Sequence, residues 1–145
     1  MKRWTKIGLA TAGVLGAIQL VPLPHDNPPV TGEISAPPEV MSILKRSCYD
    51  CHSNQPVWPW YSRVAPMSWL VYRDVVEGRE HLNFSEWTKL PAEKQAKKTR
   101  GSAKLAQKGA MPLWFYLPLH PDARLSDADK HTLNTWAGLV GGDGK

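Results

Sequence analysis

Prolines are spread through this chain in pairs and near-pairs, Pro22/Pro24, Pro28/Pro29 and Pro37/Pro38 among them, and that spacing sets the first limit on the fold. Each proline lacks a backbone donor and clashes with the helical turn before it. Thirteen of them, with eleven glycines in 145 residues, leave room for short helices joined by long connections. Strand signals are weak too, because no run of β-branched residues alternates with polar ones for more than a few positions. No internal repeat divides the chain, and its length suits one domain. The expected fold is all-α, a small helical domain with long Pro-rich loops. Seven tryptophans supply large apolar faces, most of them expected in the core.

Lys2, Arg3 and Lys6 precede an uncharged run from Ile7 to Pro24, IGLATAGVLGAIQLVPLP. A basic start before an apolar stretch of this length has the form of an export signal, and the stretch falls short of the ~20 residues that span a bilayer comfortably. No small-x-small cleavage site precedes Val21, and Pro22 follows directly, which favours an uncleaved N-terminal anchor helix over a removed signal peptide. Either way the remainder is expected on the periplasmic side of a bacterial inner membrane, with the basic residues left inside. Residues 1–24 are read as signal or anchor, 25–36 (HDNPPVTGEISA) as a linker tethering the domain, and 37–141 as the functional domain.

The formal charge of +5 owes much to that N-terminus, since without its three basic residues 15 basic groups face 13 acidic ones. The remaining excess gathers at Lys89, Lys94, Lys97, Lys98, Arg100, Lys104 and Lys108, with Glu93 the only acid among them. No nucleic-acid-binding motif accompanies this cluster, so nucleic acid is not an expected partner. A solvated helix face is the plainer reading; docking to an acidic partner protein or an anionic membrane is the other.

The only two cysteines lie in Cys48-Tyr49-Asp50-Cys51-His52, a C-x-x-C-H sequence. This is the pattern of c-type haem attachment: two thiols on one turn can each bond a porphyrin vinyl group, and the next residue then lies beneath the iron. Cys48 and Cys51 would be the thioether residues and His52 the proximal iron ligand. Three rivals use the same residues. Structural zinc needs about four ligands, and His25, His81, His120 and His131 stand too far apart to complete a set. A C-x-x-C redox pair normally opens a helix after a strand, and no strand precedes. A disulfide at three-residue spacing is strained. The export signal favours haem, because covalent attachment in bacteria takes place outside the cytoplasmic membrane.

A six-coordinate iron requires a second axial ligand, and Met111 is the first candidate. It follows His52 by 59 residues, in Gly109-Ala110-Met111-Pro112, where glycine and proline end a helix and hold a loop. The segment resembles the Met-Pro loop of small class I cytochromes c, as does a last helix expected from about Asp127 to Leu139. Ser126 is its expected N-cap, Asp129 stands at the third helical position, and Leu133, Trp136, Ala137 and Val140 form its apolar face. Met41 and Met67 read as core residues. His81 or His120 would give bis-histidine ligation, and no ligand at all would leave an open site for a gas or peroxide.

Elsewhere, Val40, Leu44 and Cys48 recur at four-residue spacing on a helix expected over 38–47. A Trp-Pro-Trp-Tyr turn follows over 57–61. Pro66 and Gly78 bracket a second helix. Asn83 with Glu86 resembles a capping box that would open a third. Gly101 is expected to interrupt helix between Lys98 and Lys108. Trp58, Trp60, Tyr61 and Trp69 are candidates for the wall of a haem pocket, with Arg63 a candidate partner for a propionate; ordinary packing is the competing reading for each.

The run CYDCHSNQPVWPWYSRVAPMSWLVYRDVVEGREHLNFSEW, Cys48 to Trp87, resembles the bacterial haem-binding domain family, single-haem proteins with a cytochrome-c-like motif. The IQLVP and NPPV segments, EKQAKK at Glu93 to Lys98, and GAMP with Tyr116 are similar to it as well. The resemblance implies one haem c at Cys48, Cys51 and His52, with Met111 as the distal ligand. It implies no particular reaction. With no acid–base pair or nucleophile constellation in view, the expectation is a periplasmic one-electron carrier, monomeric and not an enzyme, serving a larger redox partner. The alternatives are a small-ligand sensor and a peroxidase-like protein with an open sixth position.

Overall fold

Prolines stand at the entrances to three helices, where a missing N–H costs nothing because the first turn has no intrahelical acceptor for it. In the computed structural model, which describes residues 2–141, the helices are α1 (Arg3–Ile18), α2 (Pro38–Ser47), α3 (Tyr49–His52), α4 (Met67–His81), α5 (Ala92–Gln107) and α6 (Asp127–Gly141). Pro38 opens α2, while Pro66 and Pro91 immediately precede α4 and α5. Single 3₁₀ turns occupy Trp60–Arg63, Trp87–Lys89 and Pro121–Ala123. The described residues contain no strand, only an isolated parallel bridge between Gly32 and Glu86. The fold is all-helical, as its prolines and missing strand patterns imply.

Three helix boundaries differ from expectation. α4 continues through Gly78 to His81, because that glycine is buried against α3 and does not end the helix. α5 is unbroken across Gly101, which lies on an open face where a Cβ would meet nothing within 4 Å. No helix starts at Asn83. Its Oδ1 accepts from the Ser85 N–H at 3.0 Å, its Nδ2 donates to Asn54 Oδ1 at 2.8 Å, and the chain makes one 3₁₀ turn before α5. Asparagine here satisfies a turn in place of a helix end.

α6 has its expected cap: Ser126 Oγ accepts from the Asp129 N–H at 3.1 Å, and Asp129 Oδ2 accepts from the Ser126 N–H at 2.9 Å. Leu133, Trp136 and Ala137 are buried; Val140, expected beside them, is exposed. α6 packs on α5 and α2, and Arg46 of α2 reaches Asp129 at 2.9 Å. Ile34, Val40, Ile43, Leu44, Tyr49, Phe84, Trp87, Ala106, Leu133 and Trp136 form one apolar cluster. Of the tryptophans expected inside, only Trp87 and Trp136 are buried, whereas Trp4, Trp60 and Trp114 are largely exposed.

Residues 25–36 are irregular, in keeping with their linker composition, yet they lie against the domain. The Thr31 and Gly32 N–H groups donate to Ser85 O, the Ile34 N–H donates to Phe84 O, and the Ile34 side chain enters the core. α1 differs: none of its residues is buried. Gln19, just beyond it, makes paired hydrogen bonds to the Ala65 backbone at 2.9 and 3.1 Å. Among the described residues no helix is long and apolar enough to cross a membrane.

Candidate functional site

The buried face of α2, Val40, Ile43 and Leu44, carries the chain to Cys48, whose N–H closes the helix on Leu44 O at 2.8 Å. There the backbone turns. The N–H groups of Cys51 and His52 both donate to Cys48 O, at 3.3 and 2.9 Å, so C-x-x-C-H folds as a single turn around one carbonyl. Both sulfurs and the imidazole belong to that turn.

His52 is held from three sides. Its Nδ1 faces Gly78 O at 2.8 Å and Leu82 O at 3.1 Å, at the end of α4. Its backbone carbonyl accepts from Phe84 N–H at 2.7 Å, and its ring meets the Phe84 ring edge to face. Carbonyls only accept, so the proton resides on Nδ1 and the Nε2 lone pair is free to bind a metal. Burial lowers the imidazole's proton affinity, outweighing the two carbonyls that raise it, which keeps the ring in its neutral, ligating form.

Gly78 makes this approach feasible. A Cβ there would overlap Cys51 O and lie 3.0 Å from the Cys51 carbonyl carbon, so only glycine lets α4 come this close to the turn.

Cys48 and Cys51 are free thiols. Burial, reinforced by the neighbouring Cys51, pushes Cys48 up to about 12; burial, with Asp74 and Asp50, does the same to Cys51. Neither is therefore the low-pKa thiolate that a reactive redox cysteine presents. No group of three or more His, Cys, Asp or Glu among the described residues is arranged to hold a metal ion.

Cys51 opens onto a mainly apolar cleft of about 40 Å³. α4 forms one wall with Met67, Leu70 and Val75; the 56–61 segment contributes Trp58 and Tyr61; Phe115, Tyr116 and Leu119 close it. Asp50 stands at the rim. One of its oxygens accepts from the Val57 N–H at 3.0 Å and the other from the Tyr116 hydroxyl at 2.6 Å. Tyr116 stacks on His120 at 3.9 Å, and His120 contacts the Tyr61 hydroxyl at 3.3 Å.

Of the residues singled out by sequence, Cys51, Trp58, Tyr61 and Met67 share this cleft, and Cys48 and His52 share the Cys51 turn; Met67, expected in the core, is instead exposed at the start of α4, where it lines the cleft. Arg63 lies elsewhere, lining a separate cleft with Gln19, His25 and Ser62. The 3₁₀ turn explains this, since at three residues per turn Tyr61 and Arg63 cannot share a face. Trp60 and Trp69 are exposed and do not line the cleft. Met111 is half-buried on the same segment as Phe115 and Tyr116, outside the cleft lining. Met41 packs against the core and His81 is exposed, bonded to Glu77 O. Sequence reading passed over Asp50, and it took Gly78 for a helix stop. The only signal for Asp50 was an acid inside the motif; for Gly78 there was none without the packing.

A family model described as a haem-binding domain matches residues 13–138. Neither a curated protein nor a solved structure matches the chain. The residues present fit a haem: an imidazole with Nε2 free, two unpaired thiols on its own turn, and an apolar cleft beside them.

Proposed function

The chain belongs to the haem-binding domain family, and from that premise we propose that it is a c-type cytochrome-like electron carrier on the periplasmic side of the inner membrane. Cys48 and Cys51 would hold one haem as thioethers, His52 Nε2 would ligate its iron, and Met111 would supply the opposite ligand. Haem held in this way supplies one-electron redox chemistry, tuned by ligand identity and by burial.

The observation that carries this reading is the His52 hydrogen bond. An imidazole anchored by Nδ1 to a backbone carbonyl has its ring orientation set and its ligand basicity raised, the arrangement that metal-binding histidines use. The other residues serve that centre. Leu70, Val75 and Phe115 exclude water from the cleft, which disfavours the more highly charged oxidation state. The exposed apolar helix α1 would tether the domain to the membrane, and the basic face of α5 would meet an acidic redox partner.

The test is covalency. Protein made together with a cytochrome c maturation system should keep haem through denaturing electrophoresis and give a c-type haemochrome spectrum. Cys48→Ser with Cys51→Ser should lose the denaturation-resistant haem. Haem that washes out of the wild type on denaturation would defeat the covalent reading while leaving haem binding intact.

A further inference from the structure

Residues 108–120 join α5 to the turn before α6 and carry Met111. They contain Gly109 at φ 67° and a run of turns in place of regular structure. Among the described residues, side-chain hydrogen bonds tie this segment to the rest of the domain at two places, Tyr116 to Asp50 and His120 to Tyr61, beside the apolar packing of Phe115 and Leu119 in the cleft. The first is the shorter, at 2.6 Å, and its acceptor sits inside the C-x-x-C-H turn itself. Asp50 gives one carboxylate oxygen to each wall of the cleft, Val57 N–H on one side and Tyr116 on the other. Stacking on His120 limits rotation of the Tyr116 ring. Burial, and then the Asp50 carboxylate, push the Tyr116 hydroxyl above the ordinary phenol range, so it remains a donor throughout the accessible pH range.

We propose that the Asp50–Tyr116 hydrogen bond is a latch between the attachment turn and the 108–120 segment, and that it positions Met111 for iron ligation. Both are positioning residues, and the inference rests on the His52/Met111 ligation proposed above.

Tyr116→Phe removes the latch hydroxyl at nearly constant volume. Asp50→Asn is close to isosteric but leaves one acceptor oxygen for two donors. Full-length wild-type and variant proteins, loaded with haem, are compared by helical circular dichroism, by the methionine-to-iron charge-transfer band, and by carbon monoxide binding after reduction. With helicity and haem content unchanged, Tyr116→Phe should weaken the band and speed carbon monoxide binding by about tenfold or more, the scale of one hydrogen bond to a charged group. The double variant should be no faster than the worse single one.

Met111→Ala is the reference. If it abolishes the band while Tyr116→Phe and Asp50→Asn leave band and rate as in wild type, the latch is overturned and the ligation stands. If Met111→Ala keeps the wild-type spectrum, methionine ligation fails and takes the latch with it.

Discussion

At Gly78, one missing methyl group lets a helix carbonyl reach the imidazole of a candidate iron ligand. Gly78 O is shared, since it also closes α4 by accepting from Leu82 N–H at 2.9 Å. Replacement by alanine must push α4 off the Cys51 backbone, because neither partner is a flexible side chain that can yield. Gly78→Ala should cost about 1–3 kcal/mol in denaturant unfolding, the scale of overpacking. It should also raise the reduction potential of the haem-loaded protein, since a weaker Nδ1 hydrogen bond makes His52 a poorer donor to oxidised iron. An unchanged potential in a folded variant would remove Gly78 from any role in tuning. Gly32 differs, because where residues 25–36 dock a Cβ would meet the Thr88 side-chain Oγ1 first and the Thr88 backbone only at 3.4 Å.

Among the elements, α6 has the clearest local determinants. Its box of Ser126 and Asp129 satisfies two N–H groups that the first turn leaves free, and Arg46 adds a charge partner from α2. Ser126→Ala should cost about 1 kcal/mol, measured as a shift in the urea midpoint. Asp129 also predicts a pH dependence. Partial burial raises its proton affinity, but the Ser126 N–H and hydroxyl and the Arg46 guanidinium outweigh that and hold it below its usual 3.8. Its contribution is therefore complete above pH 3.8 and lost as pH falls through the lower folded value. Asp129→Asn should flatten the acid limb of the stability curve, and a curve of unchanged shape would count against this. α5 is the contrasting case: Gly101 does not break it because nothing there demands a positive φ or a close approach, and glycine in an exposed helix costs only about 1 kcal/mol against alanine.

At the scale of the whole molecule, α1 and α5 present different surfaces. α1 exposes Trp4, Leu9, Val14 and Leu15 without a partner in the domain. α5 exposes Lys94, Lys97, Arg100 and Lys104, while Lys98 turns back to His81 O and, nearby, Lys89 pairs with Glu86 at 2.7 Å. The free cations form the stripe that would steer an acidic electron-transfer partner. The bimolecular electron-transfer rate with an acidic acceptor should fall steeply between low and physiological ionic strength, since the Debye length shortens from about 30 to 8 Å. A flat salt profile, or no effect of reversing Lys94, Lys97 and Lys104 to glutamate, would place the docking surface elsewhere.

What the amino-acid order determined by itself is what depends on neighbours in the chain. The prolines predict the starts of α2 and α4, the Ser126–Asp129 spacing predicts the cap of α6, and C-x-x-C-H predicts that two thiols and an imidazole share a turn. Each follows from hydrogen bonding or sterics within about four residues. What the tertiary structure decided lies between distant segments. Gly78 was legible only as a stop, because nothing near it in sequence reveals the Cys51 backbone against which it packs. Asp50 acquires its two donors, and Arg63 its separate cleft, from the docking of loops whose composition says only that they turn. The linker-like residues 25–36 dock for the same reason: their unpaired N–H groups meet carbonyls around Phe84 and Ser85 that only the folded domain presents.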